Sequence, residues 1–227
     1  MENPQMNVGQ RLWNVIVSPS RAFRAIKEEP GFLIPAVLFL VIIVASTILT
    51  GPETRQYTVE LLTKQGTSQS QIDAGLKMML PMAVIGVIIT YPILWLLQAV
   101  VLLIYNQIAL GEGKFKQFFA VAIFSSVPTV IHQIIASGLI KGLGMKAAMQ
   151  VNTSLAVLLG SDNQTFLHRL LANFDLFTIW GLALLALGGA ITMNKGVKGI
   201  GLYILALWIV LAVGMALLGG LFPTPAV

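Results

Sequence analysis

The sequence predicts an all-α polytopic membrane protein: a five-transmembrane-helix bundle with short amphipathic helices at its N-terminus and in its loops. Three observations carry this. Residues 31–49, 80–109, 118–140, 174–193 and 199–221 form separate apolar runs with no Lys or Arg deep in their interiors. A helix rises about 1.5 Å per residue, so roughly 20 residues cross a hydrocarbon core about 30 Å thick. Of the 227 residues 56% are hydrophobic and only 10% charged, with a mean hydropathy of +0.85, whereas soluble domains carry about 25% charged residues.

This pattern divides the chain into an amphipathic N-terminal segment (1–30), a five-span membrane domain (31–221) and a short tail (222–227). Residues 1–30 are polar and interrupted and do not read as a cleavable signal peptide, so the first span is expected to remain as a signal anchor. The basic residues set the orientation. Arg11, Arg21, Arg24 and Lys27, then Lys114 and Lys116, then Lys195 and Lys198 place eight cations in three short segments on one side. The six on the other side are diluted over two longer loops. The positive-inside rule then predicts a cytoplasmic N-terminus and an outside C-terminus, in a bacterial inner membrane. The net charge of +5 is small and sits beside the spans, which points to lipid headgroups rather than nucleic acid. There are no cysteines, which removes disulfides, thiolate metal sites and cysteine nucleophiles.

Before the first span, Ser18-Pro19-Ser20-Arg21 reads as a helix start, with Ser18 as cap and Pro19 at the first helical position. The helix would show Ala22, Phe23 and Ile26 on one side and Arg21, Arg24 and Lys27 elsewhere. Upstream, Leu12, Trp13, Ile16 and Val17 form a second short apolar face. Such a basic amphipathic segment suits the headgroup region of an anionic leaflet. A helical lead-in packed on the bundle fits the same pattern equally well.

The second run is longer than a perpendicular span needs, so tilt, extension or a bend must absorb the excess. Pro92 is expected to bend it and Pro128 to bend the third span. In the first outer loop, residues 53–64 suit a surface helix. In the third loop, residues 155–159 are too short to span and read as interfacial or re-entrant, and Leu167, Leu170 and Leu171 pattern as one more amphipathic turn. Asn152-Thr153-Ser154 and Asn163-Gln164-Thr165 are glycosylation sequons by pattern, with meaning only on a lumenal face.

Polar residues within spans are the functional suspects, because burying them costs free energy unless they find partners. Asn106, Gln107, His132 and Asp175 stand out, beside Gln98, Ser125, Ser126 and Gln133. An imidazole such as His132 can serve as a proton relay or metal ligand, but no acid lies at its depth and no second ligand has metal spacing to it. It reads as a hydrogen-bonded packing residue. Asp175, at a span entry, reads as a helix cap. Ala212, Ala216 and Gly220 recur every fourth residue on the fifth span, as Ala186 and Ala190 do on the fourth. Such stripes let helices approach closely, within one bundle or in a homo-oligomer. None of the sequence motifs of metalloproteases, nucleophile-elbow hydrolases, phosphate loops or dinucleotide folds is present, so the expectation is no catalysis, no cofactor and no metal.

Several of these features resemble the Yip-type domain family of integral membrane proteins, in its prokaryotic form. The stretch Val17-Ser18-Pro19-Ser20-Arg21-Ala22-Phe23-Arg24-Ala25-Ile26, followed by Glu29-Pro30 and the first span, looks like the opening of the domain. Asn173-Phe174-Asp175-Leu176-Phe177-Thr178-Ile179-Trp180 with Gly188 looks like the fourth-span entry. The resemblance covers residues 10–221. It implies a helical bundle without a catalytic centre, in which Pro19, Phe23 and Trp180 mark the fold. The D-L-Y-G-P signature of eukaryotic members is missing, as is a long cytoplasmic region for GTPase contacts. The expected function is therefore a non-enzymatic scaffold or adaptor that binds other integral membrane proteins or lipids. The alternative is a small transporter, channel or lipid-moving protein, with Pro92, Pro128, Asn106, Gln107 and His132 lining a path between spans two and three.

Overall fold

The computed structural model describes residues 6–151, 153–160 and 165–221, with only the helical backbone for 220 and 221. Among them there is no β-strand. Eleven α-helices follow in chain order: α1 (Val8–Val17), α2 (Pro19–Glu28), α3 (Leu33–Leu49), α4 (Gly51–Lys64), α5 (Gln69–Ile108), α6 (Phe115–Phe124), α7 (Val127–Leu143), α8 (Met145–Ala148), α9 (Phe166–Ala172), α10 (Leu176–Met193) and α11 (Val197–Leu221). A 3-10 turn, Leu155–Leu159, precedes α9. Four segments are long and apolar enough to cross a membrane: α5, α6 with α7, α10, and residues 197–219 of α11. A fifth arises if α3 and α4, which meet at 51°, are one broken span. Because α4 carries Glu53, Arg55, Glu60 and Lys64, we read it as the surface helix expected after the first span, which then ends with α3.

The helix breaks have local causes. The third span is interrupted at Ser125–Ser126 rather than gently bent. Pro128 cannot donate to the carbonyl of Phe124, and it lies in the first turn of a new helix, where the missing donor is tolerated. The Ser126 hydroxyl donates back to Ala122 O at 3.1 Å and accepts the buried Trp95 indole N–H at 2.9 Å, so the break is closed with hydrogen bonds. The second span is one 40-residue helix that runs through both Pro81 and Pro92. Its excess length is an 11-residue extension, 69–79, ahead of the apolar run.

The chain divides into two compact units: residues 1–35, 95–129 and 152–227, and residues 36–94 with 130–151. In the first, α1 and α2 form a helical hairpin, and α2 packs on α6 and α10 while α10 packs on α11 and α11 on α9. Asn7 and Gln10 form a reciprocal cap on α1, at 2.9 and 3.0 Å. Ser18 stands at the start of α2, but its side chain makes no capping bond. It is the hinge between two helices: its N–H closes α1 on Asn14 O, and its ψ of 65° departs from the extended caps at Asn7 and Asp175. Its main-chain oxygen instead accepts Arg21 N and Ala22 N, at 2.9 and 3.2 Å. Arg11, counted among the eight cations that set the orientation, is buried. It donates to Met6 O (2.9 Å), Glu29 O (2.6 Å) and the Glu29 carboxylate (2.5 Å), tying the start of α1 to the end of α2.

In the second unit α4 packs on α8, and the Lys141 ammonium of α7 pairs with Glu53 of α4 at 2.6 Å. That hydrogen bond, helped by one from the backbone, holds the Glu53 carboxyl below its ordinary value. A carboxyl lowered in the folded state adds stability above the unfolded carboxylate range and loses it as pH falls through the folded value. Protection of α4 amides from hydrogen exchange, taken relative to the intrinsic rate at each pH, is therefore expected to fall on acidification from pH 6 to pH 3 in the wild type. In Glu53→Gln the profile should be flat, and an identical profile in both would remove the pair from any role in docking α4.

Candidate functional site

The residues richest in polar contacts gather where α2, the turn between α5 and α6, and the turn between α10 and α11 meet. Lys27, in the last turn of α2, donates to Ile191 O at 3.1 Å and to the Asn194 side-chain oxygen at 2.5 Å. Both acceptors lie at the C-terminal end of α10, where unpaired carbonyls favour a cation. Asn194 itself adopts a left-handed conformation, φ 56°, and caps that helix. This is a conformation asparagine tolerates better than most residues. Its amide reaches the Glu112 carboxylate. Gln117 of α6 donates to Lys27 O at 2.8 Å and accepts Lys114 N at 2.8 Å. The N-terminal segment and the two short turns, grouped on one side by charge counting, are thus hydrogen-bonded to one another.

Asn106 is the buried centre of the α5–α6 turn. Its amide accepts Gly113 N at 3.1 Å and donates to Gly113 O at 3.2 Å, while its main-chain oxygen accepts Gly111 N at 2.8 Å. Gln107, its neighbour, is exposed. His132 lies in the second unit, half-buried on α7. Asn106 is therefore committed to its own turn.

Asp175 occupies the N-cap of α10 and accepts Phe177 N and Thr178 N at 2.9 and 3.1 Å, with the Thr178 hydroxyl on its second oxygen. The chain on either side of it pairs with the loop ahead of α9, through Leu155 N to Phe174 O (3.1 Å) and Leu176 N to Thr153 O (3.2 Å). Ala212 and Ala216 are buried within the chain, and the Arg169 guanidinium of α9 donates to Ala216 O at 3.0 Å. The surroundings of Gly220, the sequon residues Asn152, Asn163 and Gln164, and the tail 222–227 lie outside the described residues.

A groove of about 520 Å³ opens beside the junction, with Arg24, Lys27, Glu28, Gln117, Asn194 and Lys195 on its walls. Arg21 and Arg24 are exposed, while Lys27 is half-buried and anchored. Sequence reasoning named these three as surface cations and missed that Lys27 is a structural one. Its spacing after Phe23, one turn along the face that packs on α10, is the signal that could have shown it. Phe23 and Ile26 are fully buried. The Phe23 ring lies across Gly188, where an added Cβ would stand 2.8 Å from two ring carbons and 2.6 Å from Val121. Pro19 and Trp180 are half-buried. Among the described residues, no group of three or more His, Cys, Asp or Glu side chains could hold a metal ion.

A helical hairpin ahead of the first span thus packs one face of α2 against a glycine of α10. The family model for the Yip1 domain matches residues 13–218. The chain is also similar to the membrane protein YknW of Bacillus subtilis (strain 168), with 26% identity over 192 residues, 82% of this chain and 81% of the relative. No solved structure matches it significantly. With the family model covering nearly its whole length, from α1 to α11, the chain belongs to the Yip1 domain family of membrane proteins.

Proposed function

We propose that this protein is a non-enzymatic membrane scaffold of Yip type, which binds integral membrane partners and lipids, with its N-terminal hairpin on the cytoplasmic side of a bacterial inner membrane. The observation that carries the reading is the pair of faces on that hairpin. α2 buries Ala22, Phe23 and Ile26, and Lys27 anchors it to α10. α1, fastened to α2 through Arg11, turns Trp13, Ile16 and Val17 outward, with Trp13 63% exposed. A rigid hairpin with an unpaired aromatic-aliphatic ridge beside Arg21 and Arg24 is suited to a partner at the headgroup level, because Trp is favoured at both interfaces and protein contacts. The basic junction of three short segments supports the cytoplasmic assignment.

The test is a photo-crosslinking residue at position 13 of the full chain in native membranes, with an unrelated five-span protein as control. One defined integral membrane protein should be crosslinked, and its recovery should fall at least about tenfold when Ile16→Ser and Val17→Ser are added, a loss of about 1.4 kcal/mol in binding. Crosslinks to lipid alone would overturn the scaffold reading and make the ridge a membrane anchor.

A further inference from the structure

The second unit contains a groove of about 830 Å³ between the α3–α4 bend and the start of α5. Its apolar wall includes Ile48, Val59, Met79 and Leu80, and two cations, Arg55 and Lys77, stand on its rim. Both cations are exposed. Among the described residues the ion pairs of this unit are Lys64–Glu60 and Lys141–Glu53, and neither uses Arg55 or Lys77. The acids nearest to them in sequence are engaged elsewhere, Glu53 with Lys141 at 2.6 Å and Asp73 with Gln69 at 3.0 Å, and neither is part of the lining.

The position of the groove matters as much as its lining. Ile48 belongs to the last turn of the apolar α3, and the charged α4 begins three residues later. Leu80 opens the apolar run of α5, and Lys77 lies one turn before it. On both walls the change from apolar to charged sequence falls at the groove, at the end of α3 and at the start of the apolar run of α5, where a span meets its polar flank. Pro52 and Pro81 also line the groove. Neither can donate the helical hydrogen bond that would close on the carbonyl four residues earlier, that of Ile48 and of Lys77 respectively. Ile48 and Lys77, whose carbonyls therefore lack an i+4 donor, both line the groove with Arg55.

We propose that this groove is a binding site for an anionic glycerophospholipid. Arg55 and Lys77 take the phosphate by charge-assisted hydrogen bonds, the two carbonyls accept headgroup hydroxyls, and the apolar wall holds the upper part of an acyl chain. The volume lies within the usual range for small-molecule sites, about 300–1,000 Å³. A soluble anion would leave that wall unsatisfied, and an apolar partner helix would leave the cations unmatched. The proposal deepens the lipid part of the function given above and is independent of the partner part.

The experiment is native mass spectrometry of the delipidated full chain, titrated with phosphatidylglycerol and phosphatidylcholine of identical acyl chains. The wild type should prefer phosphatidylglycerol by about tenfold, equivalent to about 1.4 kcal/mol. Arg55→Gln with Lys77→Gln should bind both lipids equally, while Lys114→Gln with Lys116→Gln keeps the preference. Val59→Trp, which obstructs the apolar wall and leaves both cations, should weaken both lipids. Equal binding in the wild type, or a preference kept in the Arg55/Lys77 variant, would overturn the proposal. Displacement of phosphatidylglycerol by equimolar inorganic phosphate would also overturn it, by showing a soluble-anion site. No partner protein is present, so failure here is separate from failure of the crosslink at position 13.

Discussion

Gly188→Leu is expected to detach α2 from α10 and to destabilise the N-terminal unit by about 3 kcal/mol, the upper range for overpacking a closed interior. An added Cβ alone would meet Val121 at 2.6 Å and the Phe23 ring at 2.8 Å, and both residues are fully buried. The ring cannot swing away, because Ala22 and Ile26 on the same helix are also buried. Further along the chain, the Lys27 anchor on Ile191 and Asn194 fixes the end of α2. The lost contact should appear as protease cleavage within residues 18–30 and as a lower melting midpoint in detergent. Gly138, with nothing within 4 Å of a built Cβ, is the control, and Gly138→Ala should be near neutral. The double variant Phe23→Ala with Gly188→Leu should recover part of the loss, with a coupling of about 1 kcal/mol or more between contacting sites. Recovery remains incomplete because Val121 still faces the new side chain. Equal melting of Gly188→Leu and wild type would show that α2 is not held by this contact.

The same contact shows what could be read from the sequence and what could not. Apolar runs report transfer into lipid, which is a property of residue composition, so the spans and the all-α class were legible. The helical character of 53–64 and of the stretch around Leu167 was legible too, because amphipathic spacing survives in short helices. Hydropathy carries no information on backbone hydrogen bonding. The third span therefore read as one helix although Pro128 marked the break, and the Ser126 bridge to Trp95 depends on a residue 31 positions away. Charge counting says nothing of what a cation touches, so it did not show that Arg11 lies inside the α1–α2 hairpin and Lys27 on the α10 carbonyls. Phe23 and Gly188 were each singled out by family resemblance. That one exists to make room for the other is visible only once α2 and α10 are side by side, since a glycine's need is defined by its neighbour rather than by its own pattern. Asn106 is the opposite case: an amide in an apolar run invites a transport reading until its acceptor and donor are both found seven residues away.

Asn106→Leu is accordingly expected to unfold the α5–α6 turn rather than to alter any conduction, at a cost of about 2 kcal/mol for two lost hydrogen bonds to Gly113. Leucine fills the volume but can neither accept Gly113 N nor donate to Gly113 O. What then remains is the main-chain bond from Gly111 N to Asn106 O and the contact of Glu112 with Asn194. Leu110 already occupies the left-handed region at φ 49°, and Gly113 is pressed so closely on Phe118 that a Cβ would stand 2.2 Å from the ring. Loss of the clamp should propagate, because Glu112 from the same turn pairs with Asn194, which in turn holds Lys27. Asn106→Asp isolates the donor: the buried carboxylate still accepts Gly113 N but sets a charged oxygen against Gly113 O, so the loss should grow from wild type to leucine to aspartate. Hydrogen exchange at Gly111 and Gly113 should rise in that order, and exchange at the end of α2 should follow it with smaller amplitude. An unchanged exchange rate at Gly113 in Asn106→Leu would remove the amide from the turn. A normal α2 beside a disordered turn would confine the effect to the loop and break the link from Asn106 to Lys27. The junction would then be three independent contacts instead of one cooperative surface, and the hairpin that carries Trp13 would be held by Arg11, Lys27 and the Phe23–Gly188 contact without help from the α5–α6 turn.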